Sequence, residues 1–285
     1  MNYLKDYREG EKFVGTYLCK QKQILKTKAG KTYYSLTLQD KTGTADGKIW
    51  ELNNGIANFE PMDYIHCEGM VTSFQGNLQM NISRVRISDE GEYDPADYVP
   101  CTNKDVGEMF SRILKYVASV QNKYLRKILE MYFVENKEFV DAFKKHSAAK
   151  SVHHGFMGGL LEHTLSVTDM CQYFAEHYPM IHRDLLITAA LFHDMGKIQE
   201  ISDFPQNDYT DDGQLLGHIY IGAKAMEEAA AKVPGFPAKL KNELVHCILA
   251  HHGKMEYGSP KVPAIMEAMA LHMADNADAK LQTLT

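Results

Sequence analysis

The sequence predicts a multi-domain chain, an N-terminal all-β barrel over residues 1–88 followed by an all-α domain over residues 101–285. Two observations predict it. Apolar residues alternate with a period of two up to residue 88 and recur at helical spacing beyond residue 101. Between them, DEGEYDPADYVP (89–100) is acidic, carries two prolines and reads as a linker. At 285 residues, 45% hydrophobic and 24% charged, the chain has material for two cores of ordinary size.

In the first part, KTYYSLTLQD sends Tyr34, Leu36 and Leu38 to one face and Tyr33, Ser35 and Thr37 to the other. GTADGKIW, YIHCEGMVTSF and NLQMNISRVRI continue as short strands between Gly, Asn and Asp turns. Five such strands in so short a stretch suggest a small closed barrel, for which the OB-fold is the natural candidate. ELNNGIANFEP is expected to hold the short helix that this fold usually carries. Residues 12–39 carry six lysines and no acid, on a first hairpin whose loop lines the ligand face of OB-folds. Alternation puts Tyr33 on the face opposite Leu36, while Trp50 shares a face with Lys48 and opposes Ile49. Outward aromatics and lysines make a stacking platform for single-stranded bases, which Phe74 joins from the turn TSFQGN. Two plainer readings stand beside it: a solvated lysine face, and Trp50 packing against the helical part.

The second part is all-α. Thr102 can cap a first helix through VGEMFSRILKYVASV, with Asp105 in its first turn. Further helical stretches are GGLLEHTLSVTDMCQYFAEHY, RDLLITAALFHDM, GHIYIGAKAMEEAAAKV, FPAKLKNELVHCILAH and PAIMEAMALHMADNADAKL. Met266, Met269 and Met273 follow helical spacing and are assigned to the core.

Composition narrows the function classes. A net charge of −6 argues against a generally basic nucleic-acid coat, leaving only local patches. No apolar run reaches the ~18 residues of a membrane span, so no membrane partner is expected. The opening MNYLKDYREGEK is polar, unlike a signal peptide, and five scattered cysteines form no CxxC. Free thiols in a reducing cytoplasm are the expectation.

Twelve of the thirteen histidines fall in the helical half. His163 lies in LLEHTLSV, His193 and Asp194 end the next long helix, and His218 opens another. His251 and His252 end a further helix, and Asp275 lies in LHMADNADAK. One imidazole on an apolar face is more often a hydrogen-bonded core residue than a ligand. Five helices each offering His or Asp in apolar context is different, because burying them is costly unless they share a partner. A divalent metal is the usual one, and nitrogen and carboxylate donors without thiolate suit Mn, Fe, Co or Zn in a catalytic role.

His163, then His193-Asp194, then Asp275, in that order, resembles the H…HD…D pattern of the HD superfamily of metal-dependent phosphohydrolases. The resemblance implies that these four residues hold one metal. It also implies that His218 and His251 belong to a second, with Asp194 bridging the two. That arrangement suits phosphodiester cleavage by a hydroxide held between two ions, for which the resemblance implies Mn, with Co, Fe or Zn as alternatives. Lys197 matches a lysine near the scissile phosphate, so Asp194 and Lys197 are the candidate catalytic residues. His252 can replace or supplement His251. His153 and His154, just before Gly158-Gly159, are candidate donors to phosphate oxygens, though ordinary loop histidines fit nearly as well. His272 and Asp278 flank Asp275 at i−3 and i+3 as partners for the ligands.

Beyond that dipeptide, HHGFMGGLLEHT, LFHDMGK, GHI, HHGKMEYGSP and ADNADAK, behind an OB-fold, are similar to the YhaM-type 3′→5′ exoribonucleases of Gram-positive bacteria. The likeness spans residues 10–282 and implies an OB-fold that captures single-stranded RNA or DNA and an HD-domain that removes nucleotides from the 3′ end. Two other functions compete: an HD phosphohydrolase of small nucleotides, and a single-strand-binding regulatory protein with a vestigial metal site. The OB-fold and the intact ligand set weigh against them respectively.

Overall fold

Alternating burial along the first 90 residues builds a barrel. The computed structural model describes residues 3–150 and 154–284. It divides into two units, Met1–Pro100 and Cys101–Thr285. In the first, β1 (Lys12–Lys26), β2 (Thr32–Asp40), β3 (Gly43–Ile49), β4 (Tyr64–Phe74) and β5 (Asn77–Ile87) close in the order β1-β2-β3-β5-β4. That is the strand order of an OB-fold, with β3 and β5 parallel and the other pairs antiparallel. β1 is long enough to serve two neighbours. Its first half pairs with β4, its second half with β2, and a register shift between Cys19 and Gln21 bends it around the barrel. Leu36, Leu38, Ile49, Ile65 and Val71 fill the interior, while Ser35, Thr37 and Lys48 face outward as the alternation requires.

Two expectations change here. Residues 51–61 form no helix. Gly55 donates to the Asn53 side chain, and Gly55 O and Ala57 N bond Val85, so the backbone groups a helix would use are spent on β5. Residues 89–100, read as a linker, belong to the barrel unit. Tyr93 stacks on Tyr64 at 4.0 Å, Tyr98 is buried, and Gln39 donates to Tyr98 O at 2.9 Å.

In the second unit, α1 (Val106–Ser119), α2 (Lys123–Phe133) and α3 (Lys137–Lys145) precede α4 (Gly159–His177) and α5 (Arg183–Phe192). Then follow α6 (Lys197–Glu200), α7 (Asp211–Lys232), α8 (Ala238–Ala250) and α9 (Met266–Gln282). Asp105, not Thr102, caps α1, its Oδ1 accepting from Glu108 N at 2.7 Å. The Thr102 hydroxyl instead donates to Glu162 at 2.5 Å. Helix α5 is buried from Leu185 to Phe192, the centre around which α4, α8 and α9 pack.

The methionine assignment is overturned. Met266, Met269 and Met273 are 51%, 45% and 55% exposed. The face of α9 turned inward carries Ala268, Leu271, Ala274 and Asp278, small enough for α4 to come close. The helical period was right, but the face was the wrong one. Among the described residues no helix is long and apolar enough to cross a membrane.

Candidate metal centre

Five elements converge behind this close packing. α4 brings His163, the C-terminal end of α5 brings His193 and Asp194, and α7 brings His218. The end of α8 brings His251 and His252, and α9 brings Asp275. Two glycines make the convergence possible. A Cβ on Gly196 would collide with the carbonyl oxygen of His218, so the turn after α5 can press against α7 only with glycine there. Gly217, at φ 73° and ψ 153°, breaks α7 so that His218 starts a fresh helical segment.

Asp194 sits between two groups. Its Oδ2 lies 3.3 Å from His163 Nε2 and 3.4 Å from His193 Nε2, and Asp275 Oδ1 stands 3.2 Å from His163 Nε2. Its Oδ1 lies 3.5 Å from His218 Nε2 and 3.6 Å from His251 Nε2. His163, His193 and Asp275 thus form one donor set and His218, His251 and His252 another, each with donor atoms within 4.8 Å of one another.

The far nitrogen of every imbedded imidazole is tied. His163 Nδ1 meets Asp278 Oδ2 at 2.7 Å, and His218 Nδ1 meets Glu200 Oε1 at 2.9 Å. His193, His251 and His252 direct Nδ1 to the carbonyl oxygens of Ala190, Ile248 and Tyr257, at 2.8, 2.6 and 2.8 Å. With acceptors at Nδ1, the proton belongs there, and the Nε2 atoms of His163, His193, His218 and His251 present lone pairs to Asp194. His163 Nε2 and His193 Nε2 are 3.2 Å apart, two lone pairs face to face. His218 Nε2, His251 Nε2 and both Asp194 oxygens are buried without a hydrogen bond, although Lys197 Nζ stands 2.7 Å from Oδ2 as an ion pair. Converging buried lone pairs are what a divalent cation satisfies, and the nitrogen and oxygen donors fit one.

The charges behave accordingly. Burial would raise the Asp194 carboxyl, but the Lys197 and His193 charges and the adjoining rings of His163 and His251 hold it well below its usual range. Asp275 and Asp278 are likewise lowered, burial being outweighed chiefly by His163 for the first and by His154 with His163 for the second. Burial depresses His193 to about 4, and burial with neighbouring His251 and His218 takes His252 there too. His163, despite burial, is raised by Asp194, Asp275 and Asp278.

The predicted site residues divide. His163, His193, Asp194, His218, His251, His252 and Asp275 come together, and Lys197 joins them through Asp194. Asp278 and His272 lie behind them, the latter meeting His251 O at 2.9 Å. His154 does not reach the cavity. Its side chain is fully buried and Nε2 meets Asp278 Oδ2 at 3.0 Å, so α9 covers it and it supports His163 from behind. His153 lies outside the described residues. Glu200 went unnoticed in the sequence, yet one oxygen accepts from both the backbone N–H and the ring of His218.

On the barrel, Tyr33 and Trp50 stack on each other at 4.6 Å, and Trp50 Nε1 donates to Asn81 Oδ1 at 3.0 Å. Phe74 is 62% exposed at the β4–β5 turn. Lys48 is not a free cation, since it donates to Ser35 Oγ at 2.7 Å and Asp46 Oδ1 at 2.5 Å. Of the six lysines, Lys22 reaches Phe59 O over two aromatic rings and Lys31 pairs with Glu51.

Comparisons with known proteins agree with this anatomy. The HD domain family matches residues 160–280. The 3′-5′ exoribonuclease YhaM of Geobacillus sp. (strain WCH70) is 33% identical over 257 residues, covering 90% of this chain and 78% of the relative. That of Shouchella clausii (strain KSM-K16) is 32% identical over 287 residues, covering 99% and 88%. The second OB-fold domain of replication protein A from Methanococcus maripaludis matches at 20% identity, over 32% of this chain and 98% of that one. Its TM-score of 0.26 is too low to add to the barrel's own strand order.

Proposed function

This chain belongs to the YhaM family of 3′-5′ exoribonucleases, and on that premise we propose that it hydrolyses single-stranded RNA from the 3′ end at the His/Asp cluster. The observation that carries the reading is Asp194, a buried carboxylate whose two oxygens face two separate donor sets. His163, His193 and Asp275 would hold one divalent ion, His218 and His251 with His252 a second, and Asp194 both. Mn is the first candidate, with Co, Fe and Zn behind it. When bound, such ions supply an activated water and neutralise charge on the phosphoryl oxygens.

The chain's own groups do the rest. Asp194 fixes the spacing between the two sets. Lys197, kept protonated against burial by Asp194, lines the cavity and can donate to a phosphate oxygen of the substrate. Asp278 and Glu200 orient His163 and His218 and keep their Nε2 lone pairs directed inward. Tyr33, Trp50 and Phe74 offer rings on the barrel for bases of the strand. The five cysteines are free, which suits the cytoplasm. The test uses end-labelled single-stranded RNA and DNA of equal sequence, with Mn and with chelator, and products resolved by length. A ladder shortening from the 3′ end only with metal is expected; internal cuts, or cleavage indifferent to chelator, would overturn the reading.

A further inference from the structure

Beside the donor cluster lies a cavity of about 300 Å³, whose lining includes His163, Asp275 and His252 together with Tyr257, His272 and Asn276. Ligand pockets run from roughly 300 to 1,000 Å³, so this one takes a single nucleotide unit, not a run of them. The second trio is not part of the donor sets, and each member is fixed to one that is. Tyr257 O accepts from His252 Nδ1 at 2.8 Å, His272 Nδ1 meets His251 O at 2.9 Å, and Asn276 follows Asp275 on α9. Lys254 Nζ lies 5.5 Å from the centre of the Tyr257 ring, and the polar side-chain groups of Asn276 and Tyr257 are unspent. The Asn276 amide and the Tyr257 hydroxyl make no hydrogen bond among the described residues, and Tyr257 is 57% exposed.

We infer that this cavity seats the 3′-terminal nucleoside, with the Tyr257 ring stacked on its base and the Asn276 amide hydrogen-bonded to its sugar hydroxyls. The inference rests on the exonuclease reading above. The scissile phosphate must lie at the donor sets, and the terminal sugar ring is attached to it through only the 5′ oxygen and one methylene. The sugar therefore lies in the cavity, where Asn276 offers a free amide, and the base can reach the exposed ring of Tyr257 on the same wall. An asparagine amide both donates and accepts, which matches a 2′,3′-diol. A site built to hydrogen-bond a hydroxyl rejects an analogue that lacks it. Sugar identity would then be read here, at the chain end, and the barrel's stacking faces would remain indifferent to it.

The experiment compares two oligoribonucleotides that differ only in a 2′-deoxy sugar at the 3′ terminus, with AMP and dAMP as product inhibitors. The proteins are wild type, Asn276→Ala and Tyr257→Ala, with bound metal measured for each. Wild type should favour the ribose end in kcat/KM by about tenfold, the scale of one hydrogen bond. Asn276→Ala should bring that ratio near one at unchanged metal content. Asn276→Ser, which keeps a donor and an acceptor on a shorter arm, serves if the alanine disturbs metal. Tyr257→Ala should leave the ratio alone and weaken AMP inhibition by roughly 5- to 100-fold. A wild-type ratio of one, or a ratio untouched in both Asn276 variants, overturns the inference. Failure of wild type to release mononucleotides from a 3′ end at all would instead overturn the exonuclease reading.

Discussion

The barrel's outer face and the helical cluster both collect polar groups, and they treat them in opposite ways. On the barrel, Lys48 is matched by Asp46 and Ser35, Trp50 by Asn81, and Asn81 in turn by Thr72, all within reach of solvent. In the cluster, two imidazole nitrogens and both oxygens of Asp194 are buried with no hydrogen bond. A satisfied, exposed face can lose a member at small cost, since each contact adds a little binding. A buried set aimed at one point works as a unit, because removing one member strands the rest. The difference predicts graded behaviour for the first region and near all-or-none behaviour for the second.

The hardest test of that contrast is Asp194→Asn. The amide keeps the shape but supplies one acceptor instead of two, facing both donor sets. Turnover should fall below a tenth of wild type, with the circular dichroism spectrum and the bulk of bound RNA retained. A variant above that threshold would mean Asp194 does not serve both sets.

Next in size are Glu200→Gln and Asp278→Asn. Each keeps an acceptor for a histidine ring while removing the negative charge behind it. Calorimetric metal titration should show roughly 10- to 100-fold weaker binding of one ion in each variant, a different ion in the two cases. If both variants weaken the same ion, the cluster is one site and not two.

A smaller effect is expected on the barrel. Tyr33→Ala and Trp50→Ala should raise KM on a long oligonucleotide by about 5- to 100-fold, with little change in kcat and little effect on a short one. Equal losses on both lengths would show that the stacked pair is structural. Smallest of all, Lys26→Ala and Lys28→Ala, two of the six lysines on the first hairpin, should each reduce the slope of log affinity against log salt by about 0.7. An unchanged slope would place these lysines outside the strand's path.

The same contrast governs what the sequence made legible. The residues of the cluster could be read in order because metal chemistry would demand both their type and their adjacency, as in His193-Asp194. The barrel could be read from alternation, as with Leu36, Leu38 and Ile49. Glu200 escaped because it sits in a four-residue helix and its partner is 18 residues away, so no period links them. His154 was read as facing a phosphate because a histidine before paired glycines looks like loop, and only the packing of α9 reveals that Asp278 meets it. The methionines of α9 failed for a related reason. Spacing gives a stripe its period, but which stripe faces inward depends on the neighbour's need for small residues. Thr102 and Asp105, three apart and both good caps, could be separated only by knowing that Glu162 claims the threonine.

The stacked Tyr33–Trp50 pair has an optical consequence. Trp50 is the one tryptophan among 285 residues, so red-edge excitation singles out one ring on the outer face of the barrel. Its environment is set by Tyr33 at 4.6 Å and by Asn81 at the indole nitrogen, with 40% of the residue open to solvent. A base sliding onto that ring would change both its emission wavelength and its accessibility to a soluble quencher. Events in the helical unit have no tryptophan through which to speak. The chain therefore carries a built-in dye at the point where a strand is expected to arrive, and titration by emission needs no label on either molecule.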